Sequence, residues 1–77
     1  MKLFGIRLKE LRQEKGLGQK ELAKVINTSK QNISRWEKGY FEPDQEITVR
    51  LAQFFDVSTD YLLGLENEDG SKTQLIT

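Results

Sequence analysis

Lys30, Gln31, Ser34, Arg35 and Lys38 are the side chains in this sequence whose types and spacing could do chemistry. Wound at about 100° per residue, all five share one helical arc of about 140°, with Ile33 and Trp36 on the opposite side. The arc is basic and amide-rich, and no acid lies on it to repel phosphates. Arg and Lys can donate to guanine O6 and N7, and Gln can pair bidentately with adenine N6 and N7. The plain alternative is a solvated helix face. Glu37 falls on the inward side beside Ile33, where a lone carboxylate would be costly. Arg12 sits at the edge of the apolar arc of an earlier helix. The spacing therefore suggests an Arg12–Glu37 ion pair joining the two helices; the alternative is two half-exposed charges that never meet.

Five helices must position these residues. Phe4, Leu8 and Leu11 recur on one face and predict helix 1 over about Leu3–Lys15, with Gly16 suited to the left-handed position past its end. Leu22, Ala23 and Ile26 mark helix 2 over about Gln19–Ile26, and Asn27 and Thr28 break it. Ser29 is a good N-cap for helix 3, which runs to about Lys38 and stops at Gly39. Tyr40 to Asp44 reads as a loop whose exit Pro43 fixes. Ile47, Leu51 and Phe54 or Phe55 form the stripe of helix 4, about Gln45–Phe55. Ser58 caps a short helix 5, about Thr59–Leu63, ended by Gly64. No strand pattern is visible, so the expected fold class is all-α, a compact five-helix domain. The expected organisation is one domain over residues 1–65 and a flexible acidic tail over 66–77.

Composition narrows the chemistry. Seventy-seven residues allow one domain. The chain has no cysteine and no histidine. That removes disulfides, thiolate nucleophiles, zinc-finger ligand sets and His general bases. Ser29, Ser34 and the carboxylates have no catalytic constellation around them, so neither an enzyme nor a cofactor or metal is expected, and no small-molecule ligand is evident. No apolar run approaches the ~20 residues of a membrane span, and charges interleave too early for a signal peptide. The expected compartment is the cytoplasm. The formal net charge of zero hides an asymmetry: residues 1–40 hold ten basic and four acidic side chains, whereas residues 41–77 hold two and eight. Halves of +6 and −6 point to an anionic partner for the first, with chance clustering on solvated helices as the alternative.

The runs R-L-K-E-L-R-x-E-K-G-L-G-Q-K-E-L-A, S-K-Q-N-I-S-R-W-E-K-G, P-D and L-A-x-F-F-D-V-S-x-D-Y-L-L-G together resemble the phage Cro and repressor type of helix-turn-helix domain, of the xenobiotic-response-element-like kind. The resemblance covers about Phe4 to Gly64. It implies that helices 2 and 3 form the helix-turn-helix and that helix 3 enters the major groove. It implies base contacts from Lys30, Gln31, Ser34 and Arg35, and phosphate contacts from Gln19, Asn32, Lys38 and Tyr40. Asn32 and Ser34 each match a position that contacts bases or phosphates in some members. Arg12 and Glu37 match a recurring ion pair of the family, and Ala23 matches the small residue that lets helix 2 approach helix 3. The sequence departs from the pattern at Gly18, where a Ser, Thr or Asn cap is usual, and at Thr48, where leucine is common and Ile47 could compensate. It departs too at Glu42, in a loop often basic, and at Asn27, in place of a turn glycine.

Trp36, Phe54, Phe55 and Val57 read as core, and Lys20 and Lys24 as solvated face. Tyr61, Leu62, Leu63 and Leu65 are more apolar than one short helix needs, so Tyr61, Leu62 and Leu65 are candidates for a homodimer contact. Three readings remain. One is a sequence-specific regulator of double-stranded DNA, a repressor of the phage or mobile-element kind, acting as a dimer on a roughly palindromic operator. Another is the DNA-binding part of a longer signal-sensing repressor. The third is a protein-interaction module, such as an antitoxin or adaptor, on the same fold.

Overall fold

The computed structural model describes residues 2–65 and Asn67. Its helices are α1 (Lys2–Glu14), α2 (Gln19–Ile26), α3 (Lys30–Lys38), α4 (Gln45–Phe55) and α5 (Thr59–Leu63), and no strand occurs among the described residues. Each start has a local cause. Ser29 Oγ accepts from the Asn32 N–H at 3.1 Å, Asp44 Oδ1 from Ile47 at 2.9 Å, and Ser58 Oγ from Tyr61 at 3.0 Å. These side chains occupy backbone donors that the first turn of a helix leaves without partners. Gly18 has no side chain to offer α2, and the Glu21 carboxylate accepts from the Gly18 N–H at 2.8 Å instead. That reaching-back is half of a capping box.

The ends share one device. A residue in the left-handed region follows every helix: Gly16, Asn27, Gly39, Asp56 and Gly64. The N–H of each, and of the residue after it, donates to a carbonyl of the last turn, as when Gly39 bonds to Trp36 (3.1 Å) and Tyr40 to Arg35 (3.0 Å). This is the Schellman arrangement. It also accounts for the end of α1 at Glu14, one residue before the expected Lys15. Lys15 still donates to the Leu11 carbonyl at 3.2 Å, but it is the half-helical residue from which Gly16 turns the chain away.

The apolar stripes converge on one core of Phe4, Leu8, Leu22, Ala23, Ile26, Ile33, Trp36, Leu51, Ala52, Phe55 and Leu62. Leu11, Leu17, Ile47, Phe54, Val57 and Leu63 pack against it from the rim. The rings of Phe54 and Phe55 meet edge to face at 5.0 Å. α1 lies against α3 and α5, α2 against α3 and α4, and α4 against α5. Thr48, where a leucine is common, is buried and satisfied, because its hydroxyl donates to the Asp44 carbonyl at 2.8 Å. One expectation needs correction. Leu62 is 0% exposed and belongs to the core, so it offers no surface to a second copy. With only five residues, α5 has one inward face, and Leu62 occupies it. The tail expected over 66–77 lies outside the described residues, apart from Asn67.

α1 and α3 come close together at Gly5. A Cβ on Gly5 would stand 2.5 Å from the carbonyl oxygens of both Trp36 and Glu37. Those atoms are backbone and cannot swing aside. Alanine would improve helix propensity by about 1 kcal/mol, but forcing the helices apart costs more. Gly5→Ala is therefore expected to lower stability by about 1–3 kcal/mol, or roughly 5–20 °C in melting temperature. A melting curve at or above that of the wild type would contradict the close approach.

Candidate nucleic-acid interface

The orientation of α3 is fixed from its inner side. Ile33 and Trp36 are buried in the core, and between them and the rim Glu37 turns its carboxylate toward α1. Arg12 meets it with two bonds, Nε to Oε2 at 2.6 Å and Nη2 to Oε1 at 3.0 Å. The Arg12 Nη1 donates to the Leu17 carbonyl at 2.8 Å, in the connection between α1 and α2. Gln19, at the start of α2, donates its Nε2 to Glu37 Oε1 at 3.0 Å. The side chains of Arg12 and Glu37 are 11% and 4% exposed, so the pair is largely removed from water. The bond from Glu37 holds the Arg12 guanidinium above its ordinary pKa against the opposing effect of burial, and the charge of Glu37 adds to it.

With its inner side so held, α3 turns the other side outward. Lys30, Gln31, Arg35 and Lys38 are exposed and Ser34 is half-buried. Together with Gln19 and Tyr40 they line one surface concavity, which contains three cations and no acid. Of the eight residues singled out for base or phosphate contact, seven are brought together here. Asn32 is not among the lining residues. It is half-buried on the flank, where its Nδ2 donates to Thr28 Oγ1 at 3.0 Å. A second concavity, more apolar, lies between α4 and α5 and is lined by Pro43, Val49 and Leu63 among others. None of the eight contributes to it.

Two features escaped the sequence reading. Arg7, counted with the basic half, is only 6% exposed. It donates to the Tyr61 carbonyl and lies over the Tyr61 ring at 4.1 Å. With Arg12 also buried, two of the ten basic residues of the first half serve the fold and do not face solvent. The other feature is Phe41, a loop residue that is 53% exposed, with the Arg35 guanidinium 5.7 Å from its ring centre. The Lys38 ammonium lies 6.0 Å from the ring centre of Tyr40. An aromatic pair directly after a basic helix end was the available signal.

The family model for the helix-turn-helix matches residues 8–62. The chain belongs to the helix-turn-helix family. Among its helix-turn-helix relatives is the HTH-type transcriptional regulator ImmR of Bacillus subtilis, 47% identical over 61 residues, which make up 79% of this chain and 48% of ImmR. The P22 c2 repressor, solved in complex with a synthetic operator, superimposes with a TM-score of 0.75 at 32% identity. That match covers 80% of this chain and 94% of the repressor chain. SinR, a master regulator for biofilm formation solved in complex with DNA, gives a TM-score of 0.71 at 31% identity, over 78% of this chain and 97% of that one. The chain spans about half the length of curated relatives such as ImmR.

Removing the Glu37 carboxylate would strand the Arg12 guanidinium and the Gln19 amide. Loss of one partner of a buried pair costs about 3–5 kcal/mol. Glu37→Ala is thus expected to lower the unfolding free energy by about 3 kcal/mol, as measured by urea titration. A midpoint unchanged from wild type would mean that the pair does not hold α1 to α3.

Proposed function

We propose that this chain is a sequence-specific regulator of transcription that binds double-stranded DNA, with α3 as the recognition helix in the major groove. The observation that carries this reading is the acid-free concavity that joins Lys30, Gln31, Ser34, Arg35 and Lys38 to Gln19 and Tyr40. A pure interaction module has no need of such a surface. The operator and DNA complexes of the P22 c2 repressor and SinR support the same reading. In this proposal Lys30, Gln31, Ser34 and Arg35 meet base edges, whereas Gln19, Asn32, Lys38 and Tyr40 meet phosphates. Asn32 fits a phosphate contact because it lies on the flank of the ridge and not at its crest.

The chain acts in this reading as a repressor of the phage or mobile-element kind, in the cytoplasm, by occupying a promoter. Two copies read a roughly palindromic operator, their recognition helices in successive major grooves about 34–36 Å apart. The half-buried Tyr61 and Leu65 remain candidates for the contact between copies; Leu62 does not. Because the match covers only 48% and 56% of two of the relatives, a signal-sensing or dimerising part beyond the DNA-binding unit is the second reading.

Selection from a random duplex pool at about 0.15 M salt, a concentration at which phosphate contacts are already screened, tests the proposal. It should enrich an inverted repeat with half-sites one helical turn apart. A single half-site would favour the second reading. No enrichment by folded protein would defeat DNA reading altogether. On the selected duplex, Gln31→Ala and Arg35→Ala should each cost about 1–3 kcal/mol and relax the preferred base. Lys38→Ala should weaken every duplex alike and lower the salt slope by about one. Equal affinity of Arg35→Ala and wild type for selected and scrambled duplexes would refute the base-reading role.

A further inference from the structure

We infer that Phe41 is a specificity-determining positioning residue, whose ring holds the Arg35 guanidinium in the pose that reads a base. The inference rests on the DNA-reading function proposed above and adds to it a residue outside the recognition helix. Phe41 touches no base in this account; it acts through Arg35.

The backbone places the two residues together before any ligand arrives. Gly39 takes a positive φ of 81°, and the Tyr40 N–H donates back to the Arg35 carbonyl at 3.0 Å. The residue to which the loop is tied is therefore the residue whose side chain Phe41 meets. One residue beyond that bond, the Phe41 ring lies under the Arg35 guanidinium, 5.7 Å from centroid to carbon. This is near the outer limit of about 6 Å for a cation–π contact. More than half of the Phe41 surface remains open to solvent, so core packing does not account for it.

The chemistry of the contact suits a reading arginine. A guanidinium held by its carbon over a ring spends no N–H donor on the contact, so all five donors, which lie in its own plane, stay available. Those in-plane donors are the ones that pair bidentately with guanine O6 and N7. An exposed arginine on a bare helix would have to lose its rotamer freedom at the moment of binding. A ring beneath it removes part of that freedom in advance and leaves the donors available, which is the general route by which preorganisation raises affinity.

The test compares Phe41→Leu, which keeps apolar bulk but has no ring face, with Phe41→Tyr, which keeps the face. In the free protein, the ring current should shift the Arg35 Nε–H and Cδ proton signals upfield. Phe41→Leu should abolish the shift and Phe41→Tyr preserve it, while both keep the wild-type melting temperature. On the duplex selected by the wild type, Phe41→Leu should bind about 2–5-fold more weakly, the range of an exposed cation–π contact. That loss should be confined to the base pair at which Arg35→Ala also loses discrimination. Phe41→Tyr should restore it, and Phe41→Leu should add nothing in an Arg35→Ala background. Unchanged binding by Phe41→Leu, an equal loss on all duplexes, or full additivity with Arg35→Ala would each overturn the inference while leaving DNA reading intact. Failure of the folded wild type to select any sequence would instead overturn the reading on which the inference rests.

Discussion

The bond between Arg12 and Glu37 is the constraint on which the arrangement of this domain depends. Glu37 belongs to the third helix but faces inward, and a carboxylate there is tolerable only if every lone pair that leaves water finds a donor. It accepts two bonds from Arg12 and one from Gln19. Arg12 spends a further donor on the Leu17 carbonyl. One cluster thus fastens the first helix, the connection that follows it, the start of the second helix and the end of the third. Gly5 lets the backbones of the first and third helices come close enough for this to happen. Among the described residues no buried side-chain nitrogen or oxygen lacks a partner. The network therefore adds orientation without leaving a polar group stranded.

Short helices need firm ends, and here one solution is used five times. Each helix stops on a left-handed residue whose N–H and that of its successor close the last turn. The turn redirects the chain within two residues, so that helices of five to thirteen residues can pack around a core with little connecting chain. After the third helix the same turn sets Tyr40 and Phe41 beside the basic ridge. A device that satisfies carbonyls thereby also shapes the surface next to the basic side chains of the third helix.

Formal charge described that surface incompletely. The surplus of cations in residues 1–40 includes Arg12, which a buried carboxylate neutralises locally, and Arg7, which lies against the Tyr61 ring and carbonyl. Of the cations that face outward, Lys30, Arg35 and Lys38 line the concavity along the third helix, whereas Lys9, Lys15, Lys20 and Lys24 are exposed elsewhere. A narrow cationic ridge between neutral amides combines unspecific attraction to phosphate with the directional donors that distinguish bases. A diffuse basic surface would offer only the first.

Much of this was legible in the residues. Apolar spacing in 3.6-residue periods located the helices, Ser29 and Ser58 announced two of the starts, and Gly16, Asn27, Gly39 and Gly64 announced four of the ends, because these signals are local and depend on neighbours a few positions away. The outward ridge of Lys30, Gln31, Ser34, Arg35 and Lys38 follows from the same periodicity. Asp56 as a fifth left-handed residue was not legible, since aspartate adopts that conformation only where the turn compels it. Nor were the burial of Leu62 and Arg7, the transfer of the Gly18 cap to Glu21, or the approach of Arg35 to the Phe41 ring. Each depends on which surface another element presents across a distance in sequence, from 54 positions for Arg7 and Tyr61 down to the path of a loop past a helix. The sequence by itself determined where the helices run and which side of the third must face water. Only the tertiary structure decided which charges are spent on holding that helix and which are left facing water, because burial and pairing are properties of the packed whole.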